Sequence, residues 1–296
     1  MSYKNVIIVG AGGNLGTSLL DTFLKHSSFE TSVLSREGST STFPAGVKVL
    51  QADYDSLSSL KNAFQGQDAV ISLVAGSAIA TQPKLIDAAV AAGVKHFIPS
   101  EFGSNTDDER ILKVVPIFQP KVDVLEYLKT KESEISWTAI STGGFFDWGL
   151  QQGFFGLDGA SKTATLFDEG KAQFSATSLS QIGLATIKVL EKPEVTKNQF
   201  VLIAGHTTSQ NEILAVAEKV TGKKWTVKNV SAKEHGADGL AKLQKGDFSG
   251  IGLLIQAGLF GAEDNLGDNS HFGLWNEKIG LEKENFEETI KTALLG

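Results

Sequence analysis

No cysteine occurs anywhere in the 296 residues. That excludes disulfides and thiolate chemistry, and it is compatible with a reducing, cytoplasmic compartment. Histidine is sparse as well. The five, at 26, 96, 206, 235 and 271, form no H-x-x-x-H or similar pair, so a metal site is not expected. Arginine occurs only at 36 and 110 in a chain otherwise rich in lysine. No apolar run approaches the roughly 18 residues of a spanning helix, and a strand beginning by Val6 leaves no room for a secretory signal region. Positive charge is in deficit too: the net charge of −7 argues against nucleic acid or an anionic membrane as a standing partner. What remains is a globular composition, 41% hydrophobic and 21% charged, long enough for a large α/β domain with an appended lobe, or for two domains.

The stretch from Val6 to Gly16 carries the most information. Val6, Ile7, Ile8 and Val9 are consecutive apolar residues, the pattern of a strand buried on both faces of a parallel sheet. Glycines follow at 10, 13 and 16, then a helical pattern through Leu15, Leu19, Leu20, Phe23 and Leu24. Strand, tight turn and helix in that order suit a dinucleotide. Gly10 allows the turn, Gly13 lets backbone approach a pyrophosphate, and Gly16 lets the helix pack close to the strand. The N–H groups at the helix start, around Asn14 and Leu15, then face the phosphates. The alternative is an ordinary strand-to-helix turn with incidental glycines.

Residues 31–36 read as a second strand ending in Ser35 and Arg36. No acid stands there for a ribose 2′-hydroxyl, and an arginine suits a 2′-phosphate, which favours NADP(H). A solvated loop arginine is the plainer alternative. A third strand at 47–51 leads to Asp53, where an adenine-contacting side chain fits, and Asp55 or Ser56 can cap a helix over 57–64. A fourth strand at 68–74 and a helix at 82–92, stopped by Gly93, precede a fifth strand at 95–99. Residues 104–115 read as a surface loop, and Pro120 opens a helix over 121–131. A sixth strand covers 135–141.

This alternation predicts a doubly wound parallel sheet of the Rossmann type over residues 1–150, with ligands at the carboxyl ends of the strands. Residues 151–296 then form mainly a smaller α/β substrate lobe, with some segments returning to the sheet. There, 163–167 and 172–176 read as a β-hairpin, 181–190, 210–221 and 284–295 as helices, and 200–204 as a strand. Residues 246–269, rich in Gly, Leu and Phe, read as a loosely specified lid or lobe.

Three stretches resemble the isoflavone reductase-like family, within the NmrA-like, atypical short-chain dehydrogenase group. They are Gly10-Ala11-Gly12-Gly13-Asn14-Leu15-Gly16, then 91–103 with its Phe97-Ile98-Pro99-Ser100-Glu101-Phe102-Gly103 ending, then Phe118-Gln119-Pro120-Lys121. The resemblance implies an NADPH-dependent reductase, many members of the family reducing phenylpropanoid-type aromatics. It also covers members that bind the dinucleotide without catalysis and serve as redox sensors for a protein partner. Lys121 matches the family's catalytic lysine. The tyrosine that stands four residues earlier in other short-chain dehydrogenases is here Ile117. Tyr127 and Lys131 spell that Y-x-x-x-K pair elsewhere, but Tyr127 lies about 240° around the helix from Lys121 and almost two turns further on. Ser100 and Phe102 are placed to line the nicotinamide and Gln82 to reach the cofactor from the fourth crossover, with packing or capping as the alternative for each. The second basic residue that members often carry after the arginine is missing. The loop offers Ser39, Thr40, Ser41 and Thr42 instead.

Phe145, Phe146 and Trp148 follow the sixth strand, and their rings suit a flat aromatic substrate beside the nicotinamide. The alternative is a hinge core between the lobes, and Phe154 and Phe155 are assigned to core. The expected protein is thus an NADPH-dependent reductase, monomeric or homodimeric. Lys121 acts as general acid/base on a phenol or enolate oxygen, and the cofactor carries the hydride. A non-catalytic NADP(H) sensor is the rival class.

Overall fold

The computed structural model describes residues 3–263 and 265–296. Its first strand, β1 (Asn5–Val9), sits centrally because both of its faces are apolar. Side chains alternate, so Val6 and Ile8 enter one layer of core while Ile7 and Val9 enter the other, and none of the four is exposed. The next helix, α1 (Asn14–His26), buries Leu15, Leu19, Leu20 and Phe23 in the first layer. Then β2 (Glu30–Arg36), β3 (Lys48–Ala52), α2 (Leu57–Phe64), β4 (Ala69–Ser72), α3 (Gln82–Ala92), β5 (His96–Ile98), α4 (Arg110–Val114), α5 (Gln119–Thr130) and β6 (Ser136–Ser141) follow in turn. The second layer is closed by α2, α3 and α5 through Leu60, Phe64, Leu85, Ile86, Val124 and Leu128. Ser56 caps α2, accepting from the Ser59 N–H at 3.2 Å.

The turn after β1 is as tight as the glycines suggest. Gly10 takes φ +85°, and a Cβ there would stand 2.8 Å from the Leu73 carbonyl oxygen. A Cβ on Gly16 would run into the Gly10 carbonyl, so α1 rests directly on the turn. Gly16→Ala should therefore cost on the order of 3 kcal/mol. An unchanged midpoint in denaturant unfolding would show slack that this packing denies.

Beyond β6 the chain builds the smaller lobe. Its elements are β7 (Gly144–Phe145), α6 (Phe146–Gln151), β8 (Leu157–Asp158), β9 (Thr163–Phe167), β10 (Gln173–Thr177), α7 (Leu179–Glu191), α8 (Pro193–Thr196), β11 (Gln199–Leu202) and β12 (His206–Ser209). They continue through α9 (Gln210–Thr221), β13 (Thr226–Val230), α10 (Ala232–Gln244), α11 (Gly250–Phe260), α12 (Asn276–Ile279) and α13 (Phe286–Leu295). Two of them leave the lobe. β11 pairs in parallel with β6, giving the order β11-β6-β5-β4-β1-β2-β3, and α7 lies beside α1 with Ile182, Ala185 and Val189 in the first layer. The fold is a doubly wound parallel sheet with a smaller α/β lobe. Among the described residues no helix is long and apolar enough to cross a membrane.

The lobe corrects two sequence expectations. The runs at 163–167 and 172–176 are strands but not a hairpin: β9 pairs with β8 and β13, whereas β10 pairs with β7 and β12. The turn between them is held open from outside. The Asp168 carboxylate accepts the Ala232 N–H at 3.0 Å and the Ala262 N–H at 3.2 Å, pinning the turn to the start of α10. Residues 246–269 are not a loose lid either. Its first half is mainly α11, packed on α10 where Gly239 meets Gly250 and Gly236 meets Ala257. Gly250 and Gly258 serve close helix contact, against Gly239 of α10 and Ile111 of α4. The surface loop at 104–115 holds one short helix, α4.

Candidate active site

The carboxyl ends of β1, β2, β4, β5 and β6 line one crevice, as the parallel order requires. At its floor Gly13 donates to the Gly10 carbonyl at 3.1 Å, and Asn14, exposed, begins α1. Leu15 and Gly16 are buried behind it. Arg36 ends β2 with its side chain exposed. Beside it the 37–46 loop folds over the glycine turn: a Cβ on Gly12 would lie 3.3 Å from Ser41 Oγ, and Ser39 Oγ donates to Ser41 Oγ at 3.2 Å. Tyr54 donates to the Leu34 carbonyl at 3.2 Å, its phenol pushed up to about 12 by burial while Arg36 pulls the other way.

Other expected cofactor contacts are committed to the scaffold. Asp53 accepts the Asp55 N–H at 2.9 Å and shapes the turn into α2. Gln82 is 1% exposed, its amide spent on the Ser100 N–H at 2.9 Å and the Ile79 carbonyl at 3.2 Å. It acts as a strut between α3 and the end of β5. Ser100 donates to the Val74 carbonyl at 2.6 Å, tying β5 to β4.

Past the carboxyl ends of β5 and β6 lies a cavity of about 410 Å³. Phe102, Gly103 and Ser104 form one wall, Phe118 and Lys121 another, and Gly143, Gly144, Phe145, Trp148 and Phe154 a third. Gly252, Ile255 and Leu259 of α11 close it. Lys121 stands in the first turn of α5 behind Pro120, and it is buried. Its Nζ donates to the Glu101 carbonyl, lies 5.2 Å from the centre of the Phe118 ring, and would lie 3.7 Å from a Cβ on Gly103. Burial pulls this ammonium below its ordinary value, and the Glu101 carboxylate opposes that. Tyr127 is elsewhere: its hydroxyl donates to Asp87 of α3 at 2.5 Å, and Lys131 lies 3.6 Å from the same carboxylate.

Phe146 faces away from the cavity, contrary to expectation. Fully buried, it stacks on Phe286 with ring centres 5.7 Å apart and meets Phe155 and His206 at 5.8 and 4.9 Å. The chain passes from strand to helix between Phe145 and Phe146, so the two rings diverge. Phe154, assigned to core by sequence, lines the cavity, while Phe155 is fully buried. The α11 residues escaped sequence reasoning altogether. Their signal was a helical apolar pattern masked by four glycines between 250 and 261.

The sequence matches the NmrA-like family over residues 2–238. It is 38% identical to the oxidoreductase aprR of Aspergillus flavus over 98% of this chain and 99% of that one. It is 33% identical to the phenylcoumaran benzylic ether reductase Betv6 of Betula pendula over 75% and 77% of the two. Among solved structures, AtPrR2 with NADP+ and (+)pinoresinol superposes with a TM-score of 0.78 at 22% identity, covering 99% of each chain. The ternary complex of leucoanthocyanidin reductase from Vitis vinifera gives 0.77 at 20%, covering 99% and 100%. The glycine turn, the Ser100–Gly103 segment and the buried lysine sit on the fold these relatives share, and the chain belongs to the NmrA-like family, among its isoflavone reductase-like oxidoreductases.

Proposed function

We propose that the protein is an NADPH-dependent reductase of a small aromatic or conjugated substrate, with Lys121 as its general acid/base. The observation that carries this reading is the buried amine in the wall of an aromatic cavity built just past the carboxyl ends of β5 and β6. The crevice residues fit the cofactor: backbone at Gly10–Gly16 for the pyrophosphate, and Arg36 with the Ser39 and Ser41 hydroxyls for a 2′-phosphate. When bound, the cofactor supplies the hydride. Phe102, Phe145, Trp148 and Phe154 hold a flat ring and exclude water, and Lys121 Nζ exchanges a proton with a phenol or enolate oxygen. The relatives named as oxidoreductases and reductases support the same chemistry. A sensor would have no use for a buried lysine in such a cavity.

NADPH consumption across a panel of enones, quinone methide precursors and phenylpropenes tests the proposal. No turnover with any of them, together with unequal binding of oxidised and reduced cofactor, would favour the sensor. Arg36→Ala should cost about 1.5–3 kcal/mol in NADPH affinity, as one lost charge-assisted contact does. NADH affinity should hardly change. Equal binding of both cofactors to the unaltered protein by calorimetry would count against the role of Arg36.

A further inference from the structure

Glu101 lies between β5 and α5, 1% exposed, and its side chain reaches neither solvent nor the cavity surface. Its carboxylate accepts a single hydrogen bond, from Thr106 Oγ1 at 2.8 Å, and Thr106 is itself buried. Among the described residues no lysine, arginine or histidine comes within 4.0 Å of that carboxylate. Yet the Glu101 main-chain carbonyl, 20 residues before Lys121, takes the hydrogen bond from Nζ. One residue thus offers the amine both an acceptor and a nearby buried charge.

We propose that Glu101 is the positioning residue of Lys121: its carbonyl aims the amine, and its side-chain charge keeps the proton on it. The proposal rests on the reading of Lys121 as the acid/base. A fully desolvated ammonium tends to shed its proton, and a desolvated carboxylate tends to gain one. Across a medium of low dielectric the two charges sustain each other. The groups around the amine add nothing to compete. Gly103, Phe118, Gly143, Phe145 and the α11 residues Ile255 and Leu259 are uncharged. Burial is the main influence on the Glu101 carboxyl and raises it, with Asp107 adding to the rise, while Lys121 and the Thr106 hydroxyl pull it back down. Glu101 cannot touch substrate, so its influence passes through Lys121.

Glu101→Gln keeps the shape, the main-chain carbonyl and an acceptor for Thr106, and removes only the charge. In the NADPH-loaded protein with 15N-labelled lysine, Lys121 should titrate at lower pH than in the unaltered protein. The sign follows from losing the anion that favours the charged amine. The matching ionisation in the kcat profile should move the same way, with roughly tenfold less turnover at the original optimum, a fraction of the loss from removing an acid/base outright. NADPH affinity should stay constant, and Glu101→Asp should restore part of the titration. Should Glu101→Gln fail to fold, Thr106→Val withdraws the one hydrogen bond that favours the carboxylate and should shift Lys121 in the same direction by less. An unmoved Lys121 titration in the folded variant overturns the proposal. Full activity in Lys121→Met would overturn the acid/base reading alone, since the titration reads the pair without reference to turnover.

Discussion

Replacing Lys121 with methionine should lower turnover by roughly 10²–10⁴-fold, the span of a lost general acid/base. NADPH should still bind, because Gly10–Gly16 and Arg36 lie at the ends of β1 and β2 whereas Lys121 belongs to α5. Stability should change little: methionine fills the same apolar wall without desolvating an amine, but it leaves the buried Glu101 carbonyl and carboxylate without their partner. The ionisation assigned to this amine should vanish from the pH profile. Retention of full activity on a confirmed substrate would remove the lysine from the mechanism. Tyr127 could not replace it, with its hydroxyl bonded to Asp87 on the far side of α5.

Phe146→Ala should destabilise the protein by about 3–5 kcal/mol, the usual cost of deleting a buried ring that close packing cannot refill. Its neighbours Phe155, His206 and Phe286 come from the loop after α6, from β12 and from α13, so the loss loosens the whole lobe. The Michaelis constant for an aromatic substrate should change little in the folded fraction. Trp148→Ala should do the reverse, raising that constant at small cost to stability, because Trp148 lines the cavity and is only half-buried. Denaturant unfolding and steady-state kinetics on both variants separate the two. Similar effects from both would mean the cavity wall and the lobe core are not distinct.

The parts of the fold written in short range were legible. A run such as Val6–Val9 has one use in a parallel sheet, and the spacing of Gly10, Gly13 and Gly16 is set by contacts within the turn itself. Lys121 could be singled out by resemblance because its whole setting, Pro120 and the Ser100–Gly103 segment, is local to the end of β5 and the start of α5. The lobe was harder. Whether β9 and β10 pair is decided by Asp168 reaching Ala232, 64 residues later, and nothing in the turn sequence records that reach. Adjacent aromatics posed the same problem at smaller scale. Phe145 and Phe146, like Phe154 and Phe155, sit where a strand or turn changes geometry, and neither a two-residue nor a 3.6-residue period tells which ring faces the cavity.

The return of β11 and α7 to the large sheet bears on how the chain comes off the ribosome. When residue 150 has emerged, β6 is still an open edge, and the surface of α1 that α7 will cover is bare. The cofactor half therefore cannot close until the chain has been made through Leu202. For that interval a sheet edge and an apolar face stand exposed, the condition under which nascent chains pair wrongly or recruit chaperones. Synthesis in one piece is thus part of how this protein folds, and a gene cut between its two lobes should yield two insoluble halves.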